Sequence, residues 1–279
     1  MLQQTFQDDA LVIIGHGSTQ NADSADPVFQ HATELRKRGV FAQVREAFWK
    51  QEPQVLKVVP ELVQPRIFIV PLFISEGYFS ERVIPSALGF SESEPDNRRR
   101  RDGERTLFYC RPVGSHPSMT KLLLSRASRV IEQFPFPRAP KREDITLFIA
   151  GHGTEKDPKS REAIDRQVEL IREQNLYGAV EPIFLDQDPR IPTCYETAPT
   201  KNIVVVPFFI SDGLHVQEDI PVLLGEPERI VQQRMQTGQS TWRNPTERHG
   251  KRVWLAPSVG TEPLLAEVIL ERVREAAHQ

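Results

Sequence analysis

The amino-acid sequence predicts an α/β fold built from two tandem modules, each a small parallel sheet flanked by helices. Three observations support this prediction: an internal repeat, short apolar runs that end in glycine, and segments of helical periodicity between those runs. The chain has 279 residues, and at about 150 residues per domain two domains are expected. Apolar residues make up 39% and charged residues 26% of the chain, which is typical of globular rather than disordered or fibrous proteins.

The internal repeat consists of two motifs that each occur twice. The motif LVIIGHGS at residues 11–18 recurs as LFIAGHGT at residues 147–154. The motif VPLFISEG at residues 70–77 recurs as VPFFISDG at residues 206–213. Both pairs share a spacing of 136 positions, as from residue 11 to residue 147. A shared spacing indicates a duplicated unit, because unrelated matches would not keep one offset.

In the first copy, buried strands alternate with amphipathic helices. Residues 11–14 are wholly apolar and precede a glycine, as expected for a buried parallel strand. Apolar side chains recur at helical spacing through residues 24–38. Alternation of strands with helices of this length predicts parallel sheets with right-handed crossovers. The predicted elements are strands at 11–14, 40–49, 66–74 and 106–112, and helices at 24–38, 54–62 and 117–134.

The second copy repeats this alternation after a proline-rich linker. The linker at residues 135–141 contains three prolines, which disfavour regular structure. It separates a predicted N-terminal module, residues 1–134, from a predicted C-terminal module, residues 142–279. The elements predicted in the second module are strands near 145–150, 179–185, 202–210 and 252–256, and helices near 158–174 and 262–277.

Two arginine-rich segments interrupt the alternation at equivalent places in the two copies. They are residues 91–105, with four consecutive arginines, and residues 226–252, which are about ten residues longer. One interpretation is exposed, partly disordered loops. The other is a pair of cationic flaps over an acidic ligand, with Arg243 and Arg248 among the side chains that bind it. Nucleic acid fits less well, because nearby acidic residues neutralise the arginine run.

Charge, cysteine content and hydropathy narrow the class of protein further. The net charge of -3 gives no overall positive field for nucleic acid. The two cysteines, Cys110 and Cys194, are too few for a disulfide framework and fit a reducing compartment. No apolar run reaches the ~20 residues of a membrane span, and the first ten residues do not resemble a signal peptide. We therefore expect a cytoplasmic protein with neither a membrane nor a nucleic-acid partner.

Side chains capable of chemistry follow the strands at matched positions of both copies. Ligands of open parallel sheets bind beyond the carboxyl ends of the strands. In the second copy, His152, Asp186 and His215 follow the first, second and third strands. Two imidazoles and a carboxylate suit a borderline divalent metal, and they also suit proton transfer near neutral pH. The matched residues of the first copy are His16, Lys50 and Phe79.

Simpler interpretations of these residues remain open. A histidine at a strand end is often an ordinary polar residue, and Asp186 also fits a turn before Pro189. Glycines on both sides of His16 and His152 favour a functional interpretation, because they let the chain turn sharply and leave the imidazole accessible. The Gly-x-Gly pattern could also cradle phosphate, but neither a third glycine nor a Lys-Ser/Thr pair follows it.

Over nearly its whole length the sequence resembles the CbiX/SirB-type sirohydrochlorin chelatases, in their tandem-duplicated long form. The Gly-His-Gly-Ser/Thr motifs and residues 206–225, VPFFISDGLHVQEDIPVLLG, carry this resemblance. It implies two chelatase-like α/β lobes around a cleft. It also implies a class II chelatase, a lyase that inserts Co²⁺ or Fe²⁺ into sirohydrochlorin without ATP. Such an activity serves cobalamin or sirohaem biosynthesis.

The resemblance also assigns roles to residues. The family's motif histidines fall on His152 and His215, as catalytic residues and metal ligands, and its acidic residue falls on Asp186. In the first copy only His16 matches, because Phe79 replaces the second histidine. We therefore expect one metal site, in the C-terminal module, with His16 and Phe79 on the substrate-binding side. The divalent metal is then a substrate, with Ni²⁺ also compatible, and no cofactor is permanently bound.

The same observations are compatible with two other functions, and they predict an oligomeric state. Duplicated modules can lose chemistry and keep binding, so a non-catalytic metal or tetrapyrrole carrier is an alternative. A different hydrolase on the same architecture is another, since a fold alone does not set function. We expect a monomer, because two modules in one chain remove the need for a dimer to complete a two-lobed cleft.

Overall fold

The computed structural model describes residues 5–18, 24–91, 93, 96–154 and 158–278, which form two five-stranded sheets with flanking helices. No helix in this part of the chain is long and apolar enough to cross a membrane. The strands are β1 (Phe6–Gly15), β2 (Phe41–Phe48), β3 (Arg66–Pro71), β4 (Arg99–Asp102), β5 (Arg105–Tyr109), β6 (Ile145–Gly151), β7 (Ala179–Phe184), β8 (Asn202–Pro207), β9 (Thr246–Arg248) and β10 (Lys251–Leu255). The α-helices are α1 (Asp26–Arg38), α2 (Val55–Glu61), α3 (Ile84–Ala87), α4 (Met119–Gln133), α5 (Pro158–Arg172), α6 (Cys194–Thr197), α7 (Ile220–Leu223), α8 (Glu228–Gln236) and α9 (Leu265–Ala277).

Both sheets have the same topology. Their strand orders are β2-β1-β3-β5-β4 and β7-β6-β8-β10-β9. The first four strands of each order pair in parallel, and the last strand is antiparallel to its neighbour. The predicted α/β class with two similar modules is confirmed, and each sheet gains one antiparallel edge strand that the sequence analysis did not predict.

The first strand of each repeat lies inside its sheet and is buried on both faces. Residues 10–14 of β1 are completely inaccessible to solvent. One face of β1 packs in a core with α2 and Ile84. Helix α1 contacts β1 and β2. Burial on both faces explains why the strand is continuously apolar rather than alternating. Each leucine or isoleucine buried in this way stabilises the fold by about 1.5–3 kcal/mol.

The compact units of the structure exchange the last helices of the two sequence copies. The N-terminal unit comprises Met1–His116 and Pro263–Gln279, and the C-terminal unit comprises Pro117–Glu262. Helix α9 therefore packs against β3 and β5, whereas α4 packs against β8 and β10. The linker at 135–141 separates the two sequence copies, as the repeat predicts, but it does not separate the two compact units.

A histidine and two carboxylates join α9 to the N-terminal unit. His116 is buried, and its Nδ1 atom lies 3.4 Å from Glu271 Oε2. Its Nε2 atom lies 3.2 Å from Glu275 Oε1. On the same helix, the buried Arg272 donates two hydrogen bonds to the carbonyl oxygen of Pro112, at 3.0 and 2.8 Å. These contacts tie the last helix to the loop that follows β5.

At the equivalent position of the C-terminal unit, the loop residue is a carboxylate and the helix supplies the cations. Glu262 is the repeat counterpart of His116 and is completely buried. Its carboxylate lies 3.4 Å from Arg126 Nε and 3.7 Å from Arg129 Nη1, both on α4. Ser125 donates a further hydrogen bond to it at 3.2 Å.

The reversed polarity favours the exchanged docking of the two helices. By repeat equivalence, α9 in the place of α4 would put Arg272 where Arg126 lies, but it would replace Ser125 and Arg129 by Glu271 and Glu275. Both carboxylates would then lie near the buried Glu262. Carboxylates that share a buried site cannot all remain charged without a large cost in free energy.

The two arginine-rich segments are not loops throughout. Within 91–105, of which positions 92, 94 and 95 lie outside the described residues, β4 forms a hairpin with β5. The segment 226–252 contains α8 and the edge strand β9. Arg105 pairs with Asp102 inside the first hairpin, so part of the positive charge is neutralised locally. Short charged edge strands also prevent the sheet from pairing with another sheet edge.

The buried Glu262 gives a stability prediction. We expect Glu262→Ala to lower the free energy of unfolding by about 3–5 kcal/mol, because Arg126 is left as an uncompensated buried charge. Glu162→Ala is the matched control, since Glu162 forms an exposed pair with Lys159, and it should cost less than about 1 kcal/mol. Urea denaturation followed by circular dichroism measures both. Equal losses would contradict the role given to Glu262.

Candidate active site

The candidate site lies at the carboxyl ends of β6, β7 and β8 in the C-terminal unit. Two backbone hydrogen bonds continue the pairing of β6 and β7 beyond the strands. Leu185 N–H donates to Gly151 O at 3.0 Å, and Asp186 N–H donates to His152 O at 3.1 Å. These bonds hold the residues that follow the two strands side by side. As a result, His152 Nδ1 lies 3.2 Å from Asp186 Oδ2.

Gly153 allows the chain to turn directly after His152. Its φ is +63°, in the left-handed region that favours glycine. A Cβ atom at this position would lie 2.7 Å from the Cβ atom of the fully buried Phe184. Any other residue would therefore strain the backbone and displace Phe184, and both changes would move the adjacent imidazole.

His215 comes from a π-helical turn, His215–Asp219, that follows β8. Such turns are rare and occur frequently at functional sites. The turn brings the first and last side chains together, and His215 Nδ1 lies 2.6 Å from Asp219 Oδ2. This hydrogen bond orients the ring.

The two histidines form a pair with a carboxylate on each side. The ring centroids of His152 and His215 are 4.9 Å apart, and the rings are nearly perpendicular at 83°. Asp186 and Asp219 each lie on the Nδ1 side of one ring. The Nε2 atoms are therefore the ones left for a metal ion or a proton. The two histidine side chains are 40% and 49% exposed, so a ligand can reach them.

An acidic cavity of about 350 Å³ adjoins His215. Four of its lining residues are carboxylates, and a wall of leucine and valine side chains limits screening by water. A negative potential in such a cavity raises the local concentration of cations. The lining residues are Leu185, Asp186, His215, Glu218, Asp219, Val222, Leu223 and Glu228.

The two imidazoles and the adjoining acidic cavity are groups that a divalent metal ion could contact. Among the described residues, no three histidine, cysteine, aspartate or glutamate side chains are placed to hold one metal ion together. Resident structural zinc sites use four protein ligands and catalytic ones three. A pair of imidazoles beside an acidic cavity can take up a divalent ion and release it to a partner with more donor atoms.

Three acidic residues of this site were missed by the sequence analysis. Asp219 orients His215, while Glu218 and Glu228 line the cavity. The spacing of four residues between His215 and Asp219 is the signal for the first, because it places both side chains on one face of a helical turn. Nothing local predicts Glu228, because α8 lies in the segment whose structure was not predicted.

The N-terminal unit has the same backbone arrangement with different side chains. Lys50 N–H donates to His16 O at 2.8 Å, which corresponds to the bond between Asp186 and His152. A π-helical turn, Phe79–Val83, again follows the third strand. The ring of Phe79 lies 4.9 Å from that of His16 in an edge-to-face contact. The structure thus brings His16, Lys50 and Phe79 together, but they offer one imidazole and no carboxylate.

Arg243 and Arg248 do not join the histidines. Arg248 lies on β9, where it donates to Gly225 O and lies 3.5 Å from Glu226 Oε1. Arg243 is an exposed residue that precedes the same strand. Neither arginine lines the cavity beside His215. Their part in binding the substrate stays a prediction, and in this structure Arg248 contacts its own neighbouring loop.

Comparisons with known proteins match both halves of the chain. The family model CbiX matches residues 10–130 and again residues 146–276. The chain is 41% identical over 279 residues to a protein from Halobacterium salinarum named as a probable sirohydrochlorin cobaltochelatase. That match covers 96% of this chain and 91% of the relative.

Solved structures of similar fold include a multi-domain protein and a SirB protein. A multi-domain protein from Deinococcus radiodurans, described as structurally similar to chelatases, has a TM-score of 0.77 at 27% identity. The match covers 96% of this chain but 54% of that protein, so the chain spans about half its length. SirB from Bacillus subtilis with Fe³⁺ has a TM-score of 0.68 at 19% identity, over 96% and 95% of the two chains. This last likeness shows the fold alone.

Gly153 gives a prediction about the support of His152. Gly153→Ala and Gly238→Ala both place a side chain at a similar φ, +63° and +65°, but only Gly153 has neighbours within 4 Å. The shared backbone strain should cost about 1–2 kcal/mol in each variant. We expect Gly153→Ala to lose more in urea denaturation, by the cost of displacing Phe184. Equal losses would show that Phe184 does not constrain this turn.

Proposed function

This chain belongs to the CbiX family, and we propose that it inserts a divalent metal ion, Co²⁺ or Fe²⁺, into sirohydrochlorin without ATP. The observation that carries the proposal is the pair of imidazoles, His152 and His215, with a carboxylate on each side and an acidic cavity beside it. The name of the relative from Halobacterium salinarum supports the substrate. Because imidazole ligands suit both ions, they do not distinguish Co²⁺ from Fe²⁺. They therefore do not distinguish cobalamin from sirohaem biosynthesis either.

The acidic cavity would supply the metal. Asp186, Glu218, Asp219 and Glu228 attract a hydrated divalent cation to the side of His215. The exposed Nε2 atoms of the two histidines then replace part of its water shell. Two neutral ligands bind a borderline ion weakly enough to release it to a macrocycle with four nitrogen donors.

The same two imidazoles would take the protons that the macrocycle loses. Insertion of a divalent cation requires two pyrrole N–H groups to give up their protons. When the metal leaves His152 and His215, their Nε2 atoms become free to accept those protons, so two positive charges leave and two arrive. Asp219 holds the ring of His215 through the 2.6 Å hydrogen bond to Nδ1. Asp186 lies 3.2 Å from Nδ1 of His152, so in both rings Nε2 is the atom that would take the proton.

The N-terminal unit lacks the groups for this exchange. Phe79 has no lone pair, Lys50 repels a divalent cation, and Val83 occupies the place of Asp219. We therefore place the chemistry in the C-terminal unit. We assign His16 and Phe79 to substrate binding, as side chains that contact the macrocycle. The metal is a substrate, and the proposal includes no permanently bound cofactor.

A carrier of metal or tetrapyrrole is the alternative on the same fold. It would retain a metal ion tightly and without turnover. The relative from Halobacterium salinarum is named as a probable sirohydrochlorin cobaltochelatase, and this name favours the enzyme. Metal retained without insertion into sirohydrochlorin would favour the carrier.

Anaerobic insertion of Co²⁺ and of Fe²⁺ into sirohydrochlorin, followed by absorbance, tests the proposal. The protein should exceed the spontaneous rate. His152→Ala and His215→Ala should each slow the reaction by about 10²-fold or more, since each removes a metal ligand and a proton acceptor. His16→Ala is the matched control, with a loss below about tenfold. The proposal fails if no acceleration occurs, and the site is misplaced if His16→Ala is the most damaging change.

A further inference from the structure

At two matched positions of the shared fold, the N-terminal unit has cationic side chains and the C-terminal unit has carboxylates. Lys50 stands where the C-terminal unit has Asp186, and Arg82 stands where it has Glu218. The backbone bond from residue 50 to His16, 2.8 Å, and its counterpart from residue 186, 3.1 Å, show that the local geometry is the same. The difference between the units is therefore one of charge and not of fold.

The side chains of Lys50 and Arg82 are both exposed, so an anionic ligand can reach them. Lys50 Nζ lies 5.7 Å from the ring centre of Phe79 and forms no ion pair with a described residue. Arg82 is likewise exposed and forms no such pair within the described residues. Other arginines of the unit lie near carboxylates: Arg98 near Glu81, Arg100 and Arg105 near Asp102, and Arg111 near Glu76.

Arg82 lies at the border of a cavity. It lines a cavity of about 340 Å³ together with Phe90 and Tyr109. The carboxyl group in the lining belongs to Glu81, which is paired with Arg98, and burial raises the pKa of Glu81. Arg82 is therefore the side chain that gives this lining its uncompensated charge.

Aromatic rings lie beside Lys50 on the same unit. Phe79 contacts the ring of His16 at 4.9 Å and that of Tyr78 at 5.8 Å, and Tyr78 is 65% exposed. Aromatic faces stabilise flat apolar ligands by stacking, while lysine and arginine bind carboxylates. The combination repels a metal ion and suits a flat macrocycle with anionic arms.

We propose that Lys50, beside the ring of Phe79, and Arg82, in the same π-helical turn as Phe79, bind the peripheral carboxylates of the tetrapyrrole substrate. This inference rests on the proposed function and assigns the binding of the anionic substrate to the N-terminal unit. The C-terminal unit, with carboxylates at the same positions, attracts the metal cation. Each substrate thus meets a surface of opposite charge.

Equilibrium binding of metal-free sirohydrochlorin, measured by quenching of protein fluorescence, tests this assignment. Lys50→Ala and Arg82→Ala should each raise the Kd about tenfold, which corresponds to one charge-assisted contact. Lys50→Arg should keep most of the affinity. Lys57→Ala is the matched control, because it removes an exposed lysine of the same unit that pairs with Glu52, and it should leave the Kd unchanged.

Two further readouts separate this inference from simple damage and from failure of the proposed function. Added salt should weaken binding to the wild type more than to Lys50→Ala, since a screened contact is lost. Binding of Co²⁺ alone should be equal in both proteins. Unchanged Kd values in Lys50→Ala and Arg82→Ala would overturn the inference while wild-type insertion stands. A wild type that neither binds nor metallates sirohydrochlorin would instead overturn the proposed function.

Discussion

The candidate site depends on one extension of strand pairing. The hydrogen bond from Asp186 N–H to His152 O carries the β6–β7 pairing past the end of the sheet. It fixes the spacing between the histidine of the first strand and the acid of the second. Gly153 then turns the chain with a positive φ. A Cβ atom at this position would overlap Phe184. The third component, His215, is brought in by the π-helical turn after β8.

The duplication shows how one backbone can support opposite chemistry. The N-terminal unit keeps the hydrogen bond between residues 50 and 16 and keeps the π-helical turn. Its side chains replace imidazole by an aromatic ring and carboxylates by cations. In our account, the C-terminal unit handles the metal and its N-terminal counterpart handles the polyanionic macrocycle. Charge also distinguishes the exchanged helices, since His116 and Glu262 select α9 and α4.

The sequence predicted those parts of the structure that depend on local patterns. Apolar runs ending in glycine predicted the parallel strands, and parallel strands bring His152, Asp186 and His215 to one edge whatever their separation along the chain. The exchange of α4 and α9 was not predictable in this way, because both helices have the same apolar periodicity and would fit either sheet. The role of Asp219 was missed because it requires a helical turn in a segment for which no element was predicted. Short charged strands such as β4 have no apolar pattern to reveal them.

The central claim is that one exchangeable metal site exists, in the C-terminal unit, with His152 and His215 as its ligands. Anaerobic titration with Co²⁺, followed by ligand-field absorbance and X-ray absorption spectroscopy, tests it most directly. The account predicts one ion per chain with two imidazole ligands in the wild type, one imidazole fewer in His215→Ala, and no change in His16→Ala. A second ion, or loss of an imidazole in His16→Ala with none in His215→Ala, would contradict it.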